Sequence, residues 1–191
     1  MKPRLCIDID NTIADSDPMM RRVIVAVTSG RVNLIQADVK EFAYQKCKDS
    51  KGNCITEDEW KTVHDRFSET SNLMQIDPFP GVQAHLAALS SKFVLHIVTS
   101  RLHRARAATV EWLEKYDFPP HWLHFVGHGE KHSALGKFDG AVEDHYEQAA
   151  SFAGIDTPSF LIRKPWNSGK SPLHNLAWVE NWSQLVAVLL G

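Results

Sequence analysis

The chain has 191 residues, of which 43% are hydrophobic, so it is long enough to bury one core with or without an inserted segment. Its 21 basic and 23 acidic residues give a formal charge of −2, which leaves no broad basic surface for a nucleic acid polymer. Three cysteines without paired spacing argue against a disulfide scaffold, and no apolar run is long enough to cross a bilayer. Because the first residues lead directly into a strand rather than a signal peptide, we expect a cytoplasmic protein without a membrane partner.

The predicted elements begin with an apolar strand that runs into a pair of carboxylates. Residues 15–77 are then polar and helix-prone, with amphipathic stretches over 39–47 and 57–67. Thr56 and Glu59 have the spacing of a capping box and predict where the second of these helices begins. We therefore expect a small helical cap domain inserted after the first strand.

After residue 78, helical and strand patterns alternate. Strands are predicted over 93–98, 123–126, 140–142 and 159–162, and helices over 82–91, 104–116, 145–153 and 182–190, the last capped by Asn181. This alternation predicts an α/β fold with a Rossmann-like, three-layer core and a parallel sheet, formed by residues 1–14 and 78–191. A cap inserted at the carboxyl end of a strand lies above the ligand crevice and can act as a lid.

Polar side chains follow the ends of four predicted strands. They are Asp8 and Asp10; Thr99, Ser100 and Arg101; Lys131; and Glu143 and Asp144. Because ligands bind at the carboxyl ends of parallel strands, we expect these groups to converge. Two close carboxylates repel each other unless a cation lies between them, and a hard oxygen-seeking ion such as Mg²⁺ suits them. A calcium-binding EF-hand loop is excluded, since Ile13 and Met19 stand where its Gly and Glu belong.

Over residues 4–15 and 79–155 these motifs resemble the signature of the haloacid dehalogenase-like (HAD) hydrolase superfamily. The matching residues are Asp8, Asp10 and Thr12 in the first motif, Thr99 in the second, Lys131 in the third, and Glu143 with Asp144 in the fourth. The resemblance implies a phosphatase in which Asp8 attacks phosphorus to form an aspartyl-phosphate. It implies that Asp10 protonates the leaving oxygen and later deprotonates water.

The same resemblance implies a cofactor and a phosphate site. Mg²⁺ would be held by Asp8, by the backbone carbonyl of Asp10 and by Asp144, with Glu143 in support. Phosphoryl oxygens would be held by Thr99 and Lys131, with Ser100 and Arg101 beside the substrate. Lys137 is the alternative to Lys131, and Arg101 is as compatible with a solvated position as with a substrate contact.

A narrower resemblance, to the 5'(3')-deoxyribonucleotidase family, comes from the segments 160–167 and 178–182, which contain a Pro-Trp-Asn loop and a Val-x-x-Trp step. The chain differs from that family at Glu143, where an Asp is usual. It also differs in the first motif, which is Asp-Asn-Thr at residues 10–12 instead of the commoner Asp-Gly-Val. The resemblance implies a 5'-nucleotidase acting on (deoxy)nucleoside monophosphates. A homodimer is compatible with the sequence, which does not determine the oligomeric state. The alternatives are a phosphatase for sugar phosphates or other small phosphate esters, a non-catalytic Mg²⁺- and phosphate-binding module, and a nucleic-acid end phosphatase, which the near-neutral charge disfavours.

Aromatic residues and histidines allow further interpretations. Trp60 and Phe67 lie on one predicted helix face and could form either the core of the cap or a stacking surface for a base. Trp166 and Trp182 are interpreted as packing residues. A zinc site is disfavoured for the four histidines between residues 121 and 132, because they span a turn, a strand and a loop rather than one helix.

Overall fold

A computed structural model describes residues 1–119 and 121–191. In this part of the chain the strands are β1 (Arg4–Ile7), β2 (Val94–Thr99), β3 (Trp122–Phe125), β4 (Gly140–Glu143), β5 (Ser159–Ile162) and β6 (Leu176–Val179). The helices are α1 (Asp17–Val27), α2 (Glu57–Phe67), α3 (Thr70–Leu73), α4 (Val82–Ser90), α5 (Arg106–Lys115), α6 (Lys131–Ala134), α7 (Tyr146–Ala153) and α8 (Trp182–Leu190). None of these helices is long and apolar enough to cross a membrane.

The strands form one parallel sheet in the order β3-β2-β1-β4-β5-β6. The order changes direction between β1 and β4, and ligands bind outside the carboxyl ends of the strands at such a switch point. Ile7 pairs with Val142 across this junction, and the backbone N–H of Asp8 donates to the carbonyl of Val142 at 3.1 Å. The acidic residues at the ends of β1 and β4 are therefore direct neighbours.

Alternate residues of β1 face opposite helical layers. Leu5 and Ile7 are fully buried in the main core, which also contains apolar side chains of α4, α5 and α8. Cys6 faces the other side, where it is buried with Phe138 and with Phe152 of α7. Burial on both faces explains why the strand sequences are almost continuously apolar. The predicted three-layer α/β core with a parallel sheet is confirmed.

Residues 15–77 contain α1, α2 and α3 and contribute no strand to the sheet as far as the structure describes it. The two ends of this segment lie side by side, because the N–H of Asp15 donates to the carbonyl of Asp77 at 2.9 Å. The predicted capping box is present: the N–H of Glu59 donates to the Thr56 hydroxyl at 3.3 Å, and the N–H of Thr56 donates to the Glu59 carboxylate at 2.9 Å. The helix predicted over 57–67 is confirmed.

The structure differs from the prediction in two places. Residues 39–47 form bends and one short 3₁₀ turn, Tyr44–Lys46, rather than an amphipathic helix. Tyr44 is buried there, and its hydroxyl donates to Asp17 at 2.9 Å, a tertiary contact that overrides the local periodicity. Residues 176–179, for which the sequence predicted no element, form the edge strand β6. Asn181 does cap α8, as its side chain accepts the N–H of Gln184 at 3.0 Å.

Candidate active site

A cavity of about 420 Å³ lies at the switch point, between the carboxyl ends of the strands and the inserted helical segment. Its core side is lined by polar and charged side chains that the sequence singled out, namely Asp8, Asp10, Thr99, Ser100, Arg101, Lys131 and Glu143. Its far side is lined mainly by residues of the insert. The volume lies in the ordinary range for small-molecule sites, roughly 300–1,000 Å³.

Lys131 joins the first and fourth strand ends. Its ammonium nitrogen lies 2.7 Å from Asp8 Oδ1 and 3.0 Å from Glu143 Oε1, and its side chain is almost fully buried. Burial opposes its charge, but the carboxylates of Asp8 and Glu143 outweigh burial and raise the pKa of Lys131. Lys137, the alternative lysine, is exposed, and its carbonyl accepts a hydrogen bond from Arg4 on the outside of the sheet. The structure thus brings Lys131, and not Lys137, against Asp8.

An arginine at the start of β1 contacts the segment that follows Lys131. The guanidinium of Arg4 donates to the carbonyls of Leu135 and Lys137 at 3.1 and 3.0 Å, and it lies 4.7 Å from the ring centroid of Phe138. These carbonyls belong to the segment directly after α6, the short helix that begins at Lys131. Arg4 therefore ties the lysine-bearing segment to the sheet.

Three buried carboxylates meet at the switch point. One oxygen from each of Asp8, Glu143 and Asp144 lies within 4.8 Å of the others. Asp144 Oδ1 is buried without a hydrogen-bond partner among the described residues, whereas Oδ2 accepts the indole N–H of Trp166 at 3.0 Å. Burial, with the nearby charge of Asp8, raises the pKa of Asp144 to about 8. A free carboxylate oxygen in an all-oxygen donor set fits a hard divalent cation such as Mg²⁺.

Asp10 is held by a different group of residues. Its two carboxylate oxygens accept the Nη2–H and the Nε–H of Arg101 at 2.8 and 2.9 Å, and Oδ1 also accepts the hydroxyl of Ser16 at 2.5 Å. Burial acts to raise the pKa of Asp10, but the Arg101 charge and these hydrogen bonds outweigh it and hold that pKa below its usual value. The structure therefore places Arg101 in a partly buried ion pair with Asp10 rather than in solvent.

The end of β2 supplies two hydroxyls. The Thr99 hydroxyl is buried and accepts the backbone N–H of Arg101 at 3.1 Å, so it shapes the turn that follows the strand. The Ser100 hydroxyl lines the cavity and is buried without a partner in the described part of the chain. A buried hydroxyl without a partner is costly and is expected to be satisfied by a ligand or a water molecule.

Two tryptophans interpreted as packing residues also make polar contacts at the site. Besides its buried ring, Trp166 supplies the donor to Asp144, and its neighbour Asn167 donates to the Asp144 backbone carbonyl at 2.8 Å. Trp182 donates to the carbonyl of Thr12 at 2.8 Å, in the loop that follows Asp10. The Pro-Trp-Asn motif of the sequence, residues 165–167, could have pointed to the first contact, with Asp144. No local pattern reveals the second, since 170 positions separate its partners.

The far wall of the cavity is aromatic. Phe42, Tyr44, Trp60 and Phe67 of the insert line it. Phe67 also belongs to the buried core, and Trp60 packs against that core, so the two residues both contribute to the core and border the cavity. Base stacking on them stays a prediction. Phe42 stacks on His145 of the core with ring centroids 3.7 Å apart and planes 14° apart. Sequence reasoning missed Phe42 and Tyr44, because they lie in the irregular stretch predicted as a helix.

Among the described residues, the group that could hold a metal ion is the cluster of Asp8, Glu143 and Asp144. Two of the histidines between residues 121 and 132 have other neighbours. A ring nitrogen of His124 lies 3.0 Å from one of His96, and His128 lines the cavity. The expectation against zinc at these histidines stays a prediction.

Neither a family model nor a curated protein sequence matches the chain. Several solved structures are similar to the chain in fold. A haloacid dehalogenase-like hydrolase from Streptococcus pneumoniae superposes with a TM-score of 0.69 at 13% identity, covering 98% of each chain. A predicted phosphoglycolate phosphatase from Haemophilus somnus has a TM-score of 0.60 at 14% identity over 98% of this chain and 97% of its own.

A third similar structure is the HAD-hydrolase YfnB from Bacillus subtilis bound to magnesium, with a TM-score of 0.61 at 11% identity and 99% of both chains covered. The resemblance to deoxyribonucleotidases stays a prediction, since these three structures carry other descriptions. Sequence identities this low show the architecture alone. With its sheet order, its insert after β1 and these structural matches, the chain has the haloacid dehalogenase-like fold.

Proposed function

We propose that this protein is a Mg²⁺-dependent phosphomonoester hydrolase that works through an aspartyl-phosphate on Asp8. The observation that carries the proposal is the convergence of Asp8, Glu143, Asp144 and Lys131 at the switch point of the sheet. A structural role for this group is disfavoured, because burial penalises the ionisation of three carboxylates that share one lysine. A bound cation compensates that charge, and a phosphate ester can then approach it.

Asp8 would be the nucleophile. Its carboxylate oxygen forms a bond to phosphorus while the ester P–O bond breaks. The leaving oxygen takes a proton from Asp10, whose acid form is favoured by the negative charge of the incoming phosphate against the opposing effect of Arg101. Asp10 then removes a proton from water, whose oxygen attacks the phosphorus. The bond to Asp8 breaks in this step, and inorganic phosphate is released. Lys131 compensates the charge on Asp8 and on the phosphoryl oxygens throughout, and Thr99 and Ser100 are proposed to position those oxygens.

Mg²⁺ would be held by Asp8, by the Asp10 backbone carbonyl and by Asp144, with Glu143 in support. The unpartnered Oδ1 of Asp144 supports this assignment. Glu143 accepts both of its contacts from Lys131, at 3.0 and 3.3 Å, which supports an indirect contribution from this residue. When bound, the ion supplies positive charge that lowers the repulsion between the nucleophile and the phosphate.

For the substrate we propose a (deoxy)nucleoside monophosphate. The residues that the insert contributes to the cavity wall are aromatic, apolar or uncharged polar, apart from His64, whose pKa burial holds below its usual value. An uncharged aromatic wall suits a planar base better than a second anionic group. A sugar phosphate or another small ester is the second candidate, and the similarity to a predicted phosphoglycolate phosphatase favours it. We propose that residues 15–77 act as the lid that encloses either substrate.

The activity is tested with Asp8→Asn, which keeps the shape of the side chain but removes the nucleophilic oxygen. Hydrolysis of an aryl phosphate with Mg²⁺ should fall below detection, while Asp58→Asn, a change at an exposed site in the insert, should retain wild-type rates. Full activity in the Asp8 variant would refute the proposal. A comparison of kcat/KM for deoxynucleotides, ribonucleotides and sugar phosphates then separates the two substrate candidates.

A further inference from the structure

We infer that Arg101 is a positioning residue that orients the carboxylate of Asp10, and not a group that binds the substrate phosphate. The inference rests on the proposed function, because it concerns the acid and base of that reaction. The sequence left Arg101 equally compatible with a substrate contact and with a solvated position.

The guanidinium of Arg101 already has protein partners for several of its N–H groups. Two of its N–H groups donate to the two oxygens of Asp10, and Nη1 donates to the Thr109 hydroxyl at 3.2 Å. On its other side the guanidinium carbon lies 5.9 Å from the ring centroid of Trp112. Arg101 is thus held between α5 and Asp10, and its planar group is already matched to one carboxylate.

The side chains of Asp10 and Arg101 differ in their exposure to solvent. The side chain of Asp10 is 27% exposed, whereas that of Arg101 is only 2% exposed. Both residues border the cavity, but a molecule in it meets the Asp10 carboxylate before the guanidinium behind it. A phosphate would have to displace Asp10 to obtain a bidentate contact with Arg101.

A general acid must keep its oxygen within a short distance of the leaving group, and a free Asp side chain can rotate about two bonds. The paired contact from Arg101 fixes the plane of the carboxylate as well as its position. Ser16 is the other side chain that contacts Asp10 among the described residues, and it offers a single hydrogen bond. Lysine at position 101 would keep the charge but lose the paired geometry.

The test is a series of phosphate monoesters whose leaving groups differ in basicity, measured as kcat/KM for wild type, Arg101→Met and Arg101→Lys. Release of 4-nitrophenolate needs little protonation, so both variants should lose less than about fivefold with that ester. Alkyl phosphates need a well-placed acid, and there the variants should lose about 100-fold or more. Arg106→Met, an exposed arginine a few residues further on, is the matched control and should show no leaving-group dependence.

Two further measurements distinguish positioning from phosphate binding. In an Asp10→Asn background, Arg101→Met should cause no additional loss with alkyl esters, because the residue acts through Asp10. The inhibition constant of inorganic phosphate should stay within about twofold of wild type in Arg101→Lys. A uniform loss over all esters, with weaker inhibition by phosphate, would overturn the inference and assign Arg101 to the substrate.

A readout independent of turnover is the ¹⁵N NMR signal of the Arg101 Nε–H. The ion pair should slow its exchange with water in wild type and in Asp8→Asn, and the signal should be lost in Asp10→Asn. Persistence of the signal in Asp10→Asn would also overturn the inference. If wild type hydrolyses none of the esters, it is the proposed function that fails. If wild type is active but the Arg101 variants lose activity evenly, only the inference fails.

Discussion

Trp166→Phe should weaken Mg²⁺ binding without disturbing the fold. The substitution keeps a buried aromatic ring but removes the indole N–H that donates to Asp144 Oδ2 at 3.0 Å. That bond fixes the rotation of the Asp144 carboxylate, whose other oxygen is buried without a partner among the residues described. The loss therefore acts on the orientation of a proposed metal ligand.

The size of the effect follows from the type of bond. A hydrogen bond to a charged group contributes about 1.5–3 kcal/mol, which corresponds to about a tenfold to hundredfold change in a binding constant. Loss of an outer partner of a metal ligand costs about 10- to 100-fold in affinity, which agrees with this range. We therefore expect the Kd for Mg²⁺ to rise by about one to two orders of magnitude.

Isothermal titration of Mg²⁺ into chelator-treated protein measures this change. Trp112→Phe is the matched control, because Trp112 is also buried and its indole N–H donates to a carbonyl, that of Ile76, at 2.7 Å. The control loses an indole bond to a neutral carbonyl, outside the cluster of Asp8, Glu143 and Asp144, and should bind Mg²⁺ within about twofold of wild type. If Trp166→Phe is folded and binds Mg²⁺ as tightly as the control, the indole does not orient the metal ligand and the reasoning is wrong.

Three further predictions concern pH and helix stability. Burial, with Asp8 nearby, raises the pKa of Asp144 to about 8. The stability that its protonated form contributes is complete below the ordinary pKa of Asp and is lost as the pH rises through about 8. Mg²⁺ should therefore raise the Tm of the metal-free protein more at about pH 9 than at about pH 6, and equal shifts would contradict this. Burial, and to a smaller extent the charge of Arg4, lowers the pKa of His96 to about 4. The stability that neutral His96 contributes is present above the ordinary pKa of His and is lost as the pH falls through about 4. His96→Gln should therefore shift the midpoint of acid unfolding, measured by circular dichroism, to lower pH, and an unchanged midpoint would count against this. Asn181→Ala removes the cap of α8 and should reduce the free energy of unfolding by about 1 kcal/mol in urea titrations, whereas no change would show that the cap contributes nothing.

The core was predictable from sequence because its signals are local. Continuous apolar runs and turn residues locate the strands of a parallel sheet, and the Thr56–Glu59 capping box locates the start of α2. The order of the strand-end groups also predicted that Asp8, Lys131 and Asp144 converge, since the topology of such sheets brings the carboxyl ends of the strands to one edge.

What sequence reasoning missed depends on contacts between distant segments. The stretch over 39–47 has helical periodicity, but the hydrogen bond from Tyr44 to Asp17 draws it into a loop that lines the cavity. The environment of Arg101 likewise could not be predicted from neighbouring residues, because its partner Asp10 lies 91 residues away in the sequence. β6 was not predicted because it is a four-residue edge strand that lies directly before a helix.

The bond between the Trp182 indole and the Thr12 carbonyl has a consequence for biosynthesis. The acceptor leaves the ribosome early, whereas its donor is translated 170 residues later. At about 5–20 residues per second, there is an interval of roughly 10 to 30 s in which the nascent loop after Asp10, close to the proposed nucleophile Asp8, lacks this hydrogen bond. We therefore expect stalled nascent chains that stop short of residue 182 to be inactive even where their sheet has formed, which couples the onset of turnover to nearly complete translation.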